Sequence, residues 1–325
     1  MLTNSIDTAL APLPAATESP PPGTAVIAVR DLRKSYGHRT AVRGIDLTVA
    51  RGEIFAFLGP NGAGKTTTVE ILEGFREASS GTVSVLGADP AHAPSSWRER
   101  IGIVLQESQP EPGLTVGECL ALYAGYYRAP RPLDETLALV GLAEQADQRA
   151  AALSGGQRRR LDVALALIGD PELIFLDEPT TGFDPSARRA AWEVIAGLRA
   201  LGKTVFLTTH YMEEAERLAD RIAIIAAGRI VAQGSPKTLG DRHLSQARIT
   251  FALPSPSGIG DLPGPLRERA RPQGGGRVLL PSAGVASDLH QLSGWALAHD
   301  LELDDLEVTR PTLEDVYLDL TANHD

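Results

Sequence analysis

The stretch "IFAFLGPNGAGKTTTVEILEGF", residues 54–75, decides the fold of this chain. It begins with a short, nearly continuous apolar run, which is typical of a buried strand. A glycine-rich loop follows, and then a helical pattern that places Val69, Leu72 and Phe75 on one face. A buried strand that leads through a loop into a helix is half of a βαβ unit. The stretch therefore predicts an α/β fold with a parallel sheet.

The glycine-rich loop has the composition and spacing of a phosphate-binding loop. Gly59, Gly64, Lys65 and Thr66 match the pattern G-x-x-x-x-G-K-[ST]. The glycines let backbone N–H groups turn towards phosphate oxygens, and the following helix adds its positive end. We expect Lys65 to reach the β- and γ-phosphates and the Thr66 hydroxyl to hold Mg²⁺.

A second signal is the acidic end of the predicted strand "LIFLDEP", residues 173–179. In phosphate-loop ATPases, an aspartate at such a strand end holds the metal together with the loop threonine. This pattern assigns Asp177 to Mg²⁺ and makes Glu178 the candidate general base for a water molecule. Gln106 and His210 also follow strand-like runs, where ligands bind in open α/β sheets.

A second glycine turn, "LSGGQRRR" at residues 153–160, opens another helical pattern. Its serine and paired glycines are typical of an anion-binding turn, although the chain already has a phosphate loop. Three arginines, Arg158, Arg159 and Arg160, follow the turn. We interpret them as a solvated helix face in preference to a contact with a partner or with acidic lipid.

Composition and periodicity predict the organisation of the whole chain. Residues 1–23 are rich in Ala, Pro, Thr and Ser and are expected to be a disordered tail. Residues 24–238 are expected to form a nucleotide-binding α/β domain, in which a helical subdomain occupies about 107–165. Residues 239–325 are expected to form a small α+β domain that ends in "PTLEDVYLDLT", a helix fit to pack on its own domain or on a second copy.

Charge and cysteine content exclude several classes of protein. The formal net charge of −10 argues against a nucleic-acid binder, which would show a basic excess. The single cysteine, Cys119, allows no internal disulfide and is expected to be a small buried hydrophobic residue. No apolar run approaches the ~20 residues of a spanning helix. A function at a membrane would therefore need a separate spanning chain.

Taken in order, these motifs resemble the ATP-binding subunit of an ABC transporter, over roughly residues 24–235. The resemblance implies a phosphate-loop NTPase fold of the ABC type and the cofactors ATP and Mg²⁺. It implies an adenine-stacking role for Tyr36 and a Mg²⁺- and water-sensing role for Gln106. Asp184 resembles the aspartate of the loop that crosses to the partner subunit, and His210 resembles the histidine that contacts the γ-phosphate. The phosphate loop is then Gly59, Pro60, Asn61, Gly62, Ala63, Gly64, Lys65, Thr66 and Thr67, and the signature turn is Ser154, Gly155, Gly156 and Gln157.

Finer phrases, such as "GGQRRRLDVALAL" and the terminal "PTLEDVYLDLT", resemble the daunorubicin-resistance type of exporter ATPase. One departure from the family is Phe183, since the loop that contains Asp184 usually has a leucine at this position. The resemblance implies that two such subunits enclose two ATP molecules, and that the phosphate loop of one subunit faces the signature turn of the other. It also implies a separate permease and a place at the cytoplasmic face of the membrane. An importer ATPase, a non-transport ABC ATPase and a non-hydrolysing binding module are the alternatives.

Overall fold

The computed structural model describes residues 25–105, 111, 113–239, 246–254, 257–310 and 312–322. The predicted N-terminal tail and Gln106 lie outside the described residues. The strands are β1 (Ala25–Tyr36), β2 (Arg39–Ala50), β3 (Ile54–Leu58), β4 (Ser80–Val85), β5 (Ile101–Val104), β6 (Leu173–Asp177), β7 (Thr204–Thr209), β8 (Arg221–Ala226), β9 (Arg229–Gly234), β10 (Ala247–Ala252), β11 (Arg271–Pro272), β12 (Arg277–Ser282) and β13 (Asp304–Thr309). The α-helices are α1 (Lys65–Leu72), α2 (Ser95–Arg98), α3 (Val116–Ala124), α4 (Leu133–Leu139), α5 (Gly155–Leu167), α6 (Pro185–Ala200), α7 (Met212–Leu218), α8 (Gly264–Arg267), α9 (Val285–Ala298) and α10 (Leu313–Ala322).

The central sheet has the order β5-β6-β7-β3-β8-β9. Its first five strands are parallel, and β9 pairs antiparallel with β8. The sheet is buried on both faces, which explains why β3, β6 and β7 are continuous apolar runs. The prediction of an α/β fold with a parallel sheet is confirmed. The carboxyl ends of β3, β6 and β7 meet at one edge, which places their following loops together.

A second sheet, β2-β1-β4, is antiparallel and packs on one face of the central sheet. Alternate β1 and β2 residues are buried, which is the pattern of a sheet with one core face. In the core between the sheets, the ring of Phe206 lies 5.6 Å from the ring of Phe55 and 5.7 Å from those of Phe57 and Phe175. These contacts hold β3, β6 and β7 in register below the site.

Helices α3, α4 and α5 lie where the sequence predicts a helical insert. Cys119 is buried among apolar side chains of these helices, as expected of a small hydrophobic residue. The prediction for Phe75 is wrong: α1 ends at Leu72, and Phe75 is 67% exposed. Gly74, whose φ of 80° is left-handed, turns the chain away from the helix before Phe75 is reached.

The last part of the chain forms a third sheet, β11-β12-β10-β13, which shares an apolar core with α9. Helix α10 does not join that core. Its Leu313 is fully buried in a cluster with Ala56 and Leu58 of β3 and Ile222 and Ile224 of β8. The sequence predicts that this helix packs on its own domain or on a second copy, but among the described residues of this chain it packs on the nucleotide-binding part and not on the core of the C-terminal domain.

Candidate nucleotide site

A cleft of about 790 Å³ lies at the carboxyl ends of β3, β6 and β7. Most of the predicted site residues line it together, although they come from four separate segments of sequence. Arg39, Ala41 and Tyr317 also line the cleft, and the sequence analysis did not find them. The lining residues are Tyr36, Arg39, Ala41, Gly59, Pro60, Asn61, Gly62, Gly64, Lys65, Thr66, Thr67, Asp177, Glu178, His210 and Tyr317.

Two positions of the phosphate loop require glycine. At both of them another strand lies too close for a side chain, and one also has a left-handed backbone. A Cβ atom on Gly59 would lie 2.3 Å from the carbonyl oxygen of Ile225, because the loop leaves β3 directly against β8. Gly64 has a φ of 108°, and a Cβ atom there would lie 2.7 Å from the carbonyl oxygen of Ala41. Side chains at either position would push the loop out of the conformation that starts α1.

Lys65 is held inside the phosphate loop. Its Nζ donates to the carbonyl oxygens of Gly59 at 2.5 Å and Pro60 at 3.2 Å, and the residue is buried. Burial lowers the pKa of Lys65, and the charges of Glu178 and Asp177 oppose that effect. The ammonium group has therefore lost part of its hydration, and phosphate oxygens bound in the loop would replace it. Because less water screens the charge, its attraction for an anion is stronger.

The acidic strand end is organised by β7. Thr208 donates its hydroxyl to Asp177 Oδ1, and its Oγ1 accepts the backbone N–H of Glu178 at 3.1 Å. Glu178 has a φ of 45°, a left-handed conformation that is costly for a residue with a side chain. Its Oε2 accepts the Thr181 hydroxyl at 3.1 Å and lies 3.2 Å from His210 Nδ1. The turn therefore brings both carboxylates to one cleft, which an extended strand would place on opposite faces.

The donor set suits a hard cation. The Thr66 hydroxyl at the start of α1 and the Asp177 carboxylate at the end of β6 line the same cleft. Oxygen ligands of this kind suit Mg²⁺, which is held by one or two protein groups together with phosphate and water. The third predicted ligand, Gln106, lies outside the described residues.

Tyr36 lies at the end of β1, beside the helix that follows the phosphate loop. The residue is 40% exposed, and its hydroxyl lies 3.5 Å from Thr67 Oγ1. Arg76 lies 5.2 Å and Lys34 lies 5.4 Å from the centre of the Tyr36 ring. An exposed ring at the edge of the cleft can stack on a base, which is the role predicted for Tyr36.

The predicted signature turn starts α5 and is away from this cleft. Ser154 Oγ accepts the backbone N–H of Gln157 at 3.2 Å, and the Gln157 side chain accepts the N–H of Ser154 at 2.9 Å. This capping box leaves the exposed Ser154 and Gly155 at the positive end of a helix. Among the described residues, the signature turn and Asp184 do not line the cleft. Asp184 is exposed and caps α6 by accepting the N–H groups of Ser186 and Ala187.

The interpretation of the three arginines as a solvated face is wrong for Arg159. This side chain is only 8% exposed. Its guanidinium donates to the carbonyl oxygens of Asp177 at 2.7 Å and Pro179 at 3.1 Å, and to that of Leu105. Burial lowers its pKa, and Asp162 3.8 Å away opposes that effect. Arg159 thereby connects the signature helix to the acidic strand end, a link that a run of identical charges does not reveal.

A second cleft, of about 550 Å³, lies between the end of α1, strand β5 and helices α3 and α5. Its wall includes exposed apolar side chains, among them Phe75, Leu105 and Tyr123. It also includes Glu73, a buried carboxyl whose pKa is raised to about 8, first by desolvation and then by the charges of Asp177 and Glu70. In the described parts of the chain, no helix has both the length and the apolar character needed to cross a membrane.

Comparison with known proteins accounts for this arrangement. Residues 42–181 match the ABC transporter family, and residues 247–312 match the C-terminal domain of ABC transporter domain-containing-like proteins. The chain is 39% identical to the Nod factor export ATP-binding protein I of Ralstonia nicotianae, over 94% of this chain and 98% of that protein. The protein of the same name from Rhizobium meliloti is also 39% identical, over 92% of this chain and 89% of its own length.

Solved structures show a similarity over about two thirds of the chain. The ATP-binding subunit of an ABC transporter is 30% identical, with a TM-score of 0.59 over 65% of this chain and 90% of that one. The cbiO1 protein of Clostridium perfringens, described as part of the ABC transporter complex cbiONQ, is 29% identical. Its TM-score is 0.60, over 66% of this chain and 90% of that one.

Proposed function

This chain belongs to the ABC transporter family as an ATP-binding subunit with an ATPase activity coupled to transport, and on that premise we propose that it energises export of a small molecule through a separate membrane permease. The observation that carries the proposal is the convergence of Lys65, Asp177, Glu178 and His210 on one cleft. A binding module that does not hydrolyse ATP would have no need for a carboxylate held in a strained turn.

Glu178 is the group we assign to the water molecule. Its carboxylate accepts the water proton while the water oxygen attacks the γ-phosphorus and the bond to ADP breaks. Thr181 and His210 contact the same carboxylate oxygen and orient it. The phosphate loop and Lys65 hold the β- and γ-phosphates, and Tyr36 stacks on the adenine.

Mg²⁺ would be held by Thr66, Asp177 and Gln106, and it would supply charge neutralisation at the phosphate oxygens. The chain's own contribution is to orient these oxygen donors. Thr208 does so for Asp177, because its hydroxyl donates to Oδ1 and restricts rotation of the carboxylate.

The signature turn serves a second subunit in this proposal. Ser154 and Gly155 are exposed at a helix N-terminus and lie apart from the chain's own cleft, so they can reach a nucleotide held by another copy or by a close relative. Asp184 lies on an exposed cap beside that surface and is assigned to the crossing contact. Each pair of subunits would then form two composite ATP sites.

The cleft between α1, β5 and the helical insert is the surface we assign to the permease. Phe75 is 67% exposed and Leu105 is 48% exposed there, and both are large apolar side chains at the rim of a concave surface. Docking of the permease would place the chain at the cytoplasmic face of the membrane. The chain should then co-fractionate with membranes only when its permease is produced, and membrane binding without the permease would contradict the assignment.

Export is favoured over import by the names of the full-length relatives, which are export ATP-binding proteins. Similarity extends through the C-terminal part of the chain, since the Ralstonia protein aligns over 94% of it. The cargo is proposed to be a small molecule such as a drug or an antibiotic, as in the daunorubicin-resistance type that the terminal "PTLEDVYLDLT" resembles. An importer ATPase or a non-transport ABC ATPase remains the alternative.

The test of the catalytic assignment is Glu178→Gln. The amide keeps the size of the side chain but cannot accept the water proton, so we expect ATP to bind with turnover reduced about 100-fold or more. Glu213→Gln, an exposed carboxylate of α7, is the matched control. Near-normal phosphate release by Glu178→Gln would exclude the residue as the base.

A further inference from the structure

The nucleotide cleft contains a residue from the far end of the chain. Tyr317 lies in α10, the last helix, and lines the cleft together with phosphate-loop residues and His210. It is separated from the matched part of the C-terminal domain, residues 247–312, by only a few positions. The nucleotide site therefore includes a side chain contributed by the accessory C-terminal part of the chain.

Helix α10 is held in place by an N-terminal cap, by a buried leucine and by an ion pair. Thr312 and Asp315 form a cap at its start. The Thr312 N–H donates to the Asp315 carboxylate at 2.7 Å, and the Asp315 N–H donates to the Thr312 hydroxyl oxygen at 3.1 Å. Leu313 is fully buried against β3 and β8. Arg248 of β10 lies 3.6 Å from Asp315 and connects the helix to the accessory sheet. Tyr317 is therefore held in place by the fold and is not part of a free tail.

The packing of α10 also determines where Tyr317 enters the cleft. The helix contacts α7, and Tyr317 and Met212 pack on the same apolar cluster. Met212 follows His210 by two positions, and its cluster includes Leu58, the last residue of β3 before the phosphate loop, whereas Tyr36 lies beside Thr67 of α1. Tyr317 thus approaches the cleft from the side of α7, the helix that follows His210.

We propose that Tyr317 is a nucleotide-binding residue of the C-terminal domain that contacts the terminal phosphates of ATP. This inference rests on the proposed function of the cleft and adds to it a residue that lies outside the ABC motifs. A tyrosine suits the position because its ring can pack on the apolar cluster of α10 while its hydroxyl donates to a phosphate oxygen. The contact would connect nucleotide occupancy to the accessory domain through α10 and Arg248.

The experiment measures magnesium-ATP and magnesium-ADP binding by calorimetry on the full chain. Tyr317→Phe removes only the hydroxyl, so we expect ATP to bind at least about ten-fold more weakly, the loss of one hydrogen bond to a charged acceptor, while ADP changes less than about two-fold. Leu318→Ala, on the same helix and 56% exposed, is the control and should leave both affinities unchanged. Unchanged ATP affinity in Tyr317→Phe, or an equal loss for ATP and ADP, would overturn the proposal.

A second measurement covers the case in which Tyr317→Phe does not fold. The wild-type chain is labelled with an ATP analogue that carries an aryl azide on the γ-phosphate, and the labelled peptide is mapped. Label in the segment 312–322 supports the contact, and label confined to other segments contradicts it. Lys65→Ala separates the two proposals: the proposed function itself fails if wild type does not bind ATP, or if Lys65→Ala binds ATP as tightly as wild type does.

Discussion

At the scale of single residues, the site depends on residues whose burial or backbone conformation is unusual for their type. Lys65 is a partly desolvated cation, Glu178 has a left-handed backbone, and Arg159 is a buried cation bonded to carbonyl oxygens. The sequence motifs predicted Lys65 and Glu178 because phosphate chemistry requires those groups at that spacing. Arg159 could not be predicted, since its neighbours Arg158 and Arg160 have the same chemistry and only packing distinguishes them.

Arg159→Met tests the link between the signature helix and the acidic strand end. Loss of the guanidinium leaves the carbonyl oxygens of Asp177 and Pro179 without this donor, which we expect to cost roughly 2–3 kcal/mol of unfolding free energy. It should also lower kcat more than it raises KM, because the strand end loses its support. Urea unfolding and steady-state kinetics measure the two effects.

The neighbouring Arg158→Met is the control for this prediction. Within the described residues, Arg158 donates to the Leu153 carbonyl oxygen, at 3.5 Å, and it is less buried than Arg159. Equal effects of the two substitutions would show that loss of positive charge on α5, rather than the buried contacts of Arg159, is what matters.

Glu73 gives the protein a pH-dependent stability with a defined sign. Its pKa is raised from 4.5 to about 8 in the folded chain, so the folded state retains a proton that the unfolded state releases. This effect lowers the unfolding free energy as the pH rises from about 4.5 to about 8. Glu73→Gln should therefore raise the thermal midpoint at pH 8, by several degrees, and change it little at pH 5.

The exposed Glu77→Gln, four positions further on, is the control for the Glu73 experiment and should have no effect at either pH. A Glu73→Gln stabilisation that is equal at pH 5 and pH 8 would contradict the raised pKa.

At the scale of elements, several candidate nucleotide-binding residues lie at the starts of helices. The phosphate loop leads into α1, Ser154 caps α5, and Asp184 caps α6. Local sequence predicted the starts of α1 and α5 well, since glycine loops and turns act over three or four positions. It did not predict that α1 ends at Leu72 or that α10 packs against β3 and β8. The first depends on the turn at Gly74, and the second depends on contacts with residues more than 80 positions away.

Two matched capping boxes allow the cap and the catalytic role of Ser154 to be separated. Thr115 caps α3 and Ser154 caps α5 with the same reciprocal bonds. Alanine at either position should cost about 0.5–2 kcal/mol of unfolding free energy. We expect only Ser154→Ala to reduce turnover as well, by about 100-fold, because its hydroxyl faces a phosphate in the assembled pair. Equal turnover in the two variants would reduce Ser154 to a structural cap.

At the scale of the whole molecule, the chain carries a phosphate loop and a signature turn that do not meet. The central sheet places the first in the nucleotide cleft, and α5 presents the second at an exposed surface. The sequence resemblance predicted this division. It could not predict that the C-terminal part of the chain returns to the same cleft through Tyr317, because that approach is set by tertiary packing.

Mixing two inactive variants shows whether each ATP site is shared between two chains. Lys65→Ala lacks a working phosphate loop, and Ser154→Ala lacks a working signature turn. In a mixed pair, one site combines the intact loop of one chain with the intact turn of the other, and random pairing gives about a quarter of the wild-type sites in a symmetric dimer. We expect an equimolar mixture to release phosphate well above the mean of the two separate variants. A mixture whose rate equals that mean would contradict the composite site.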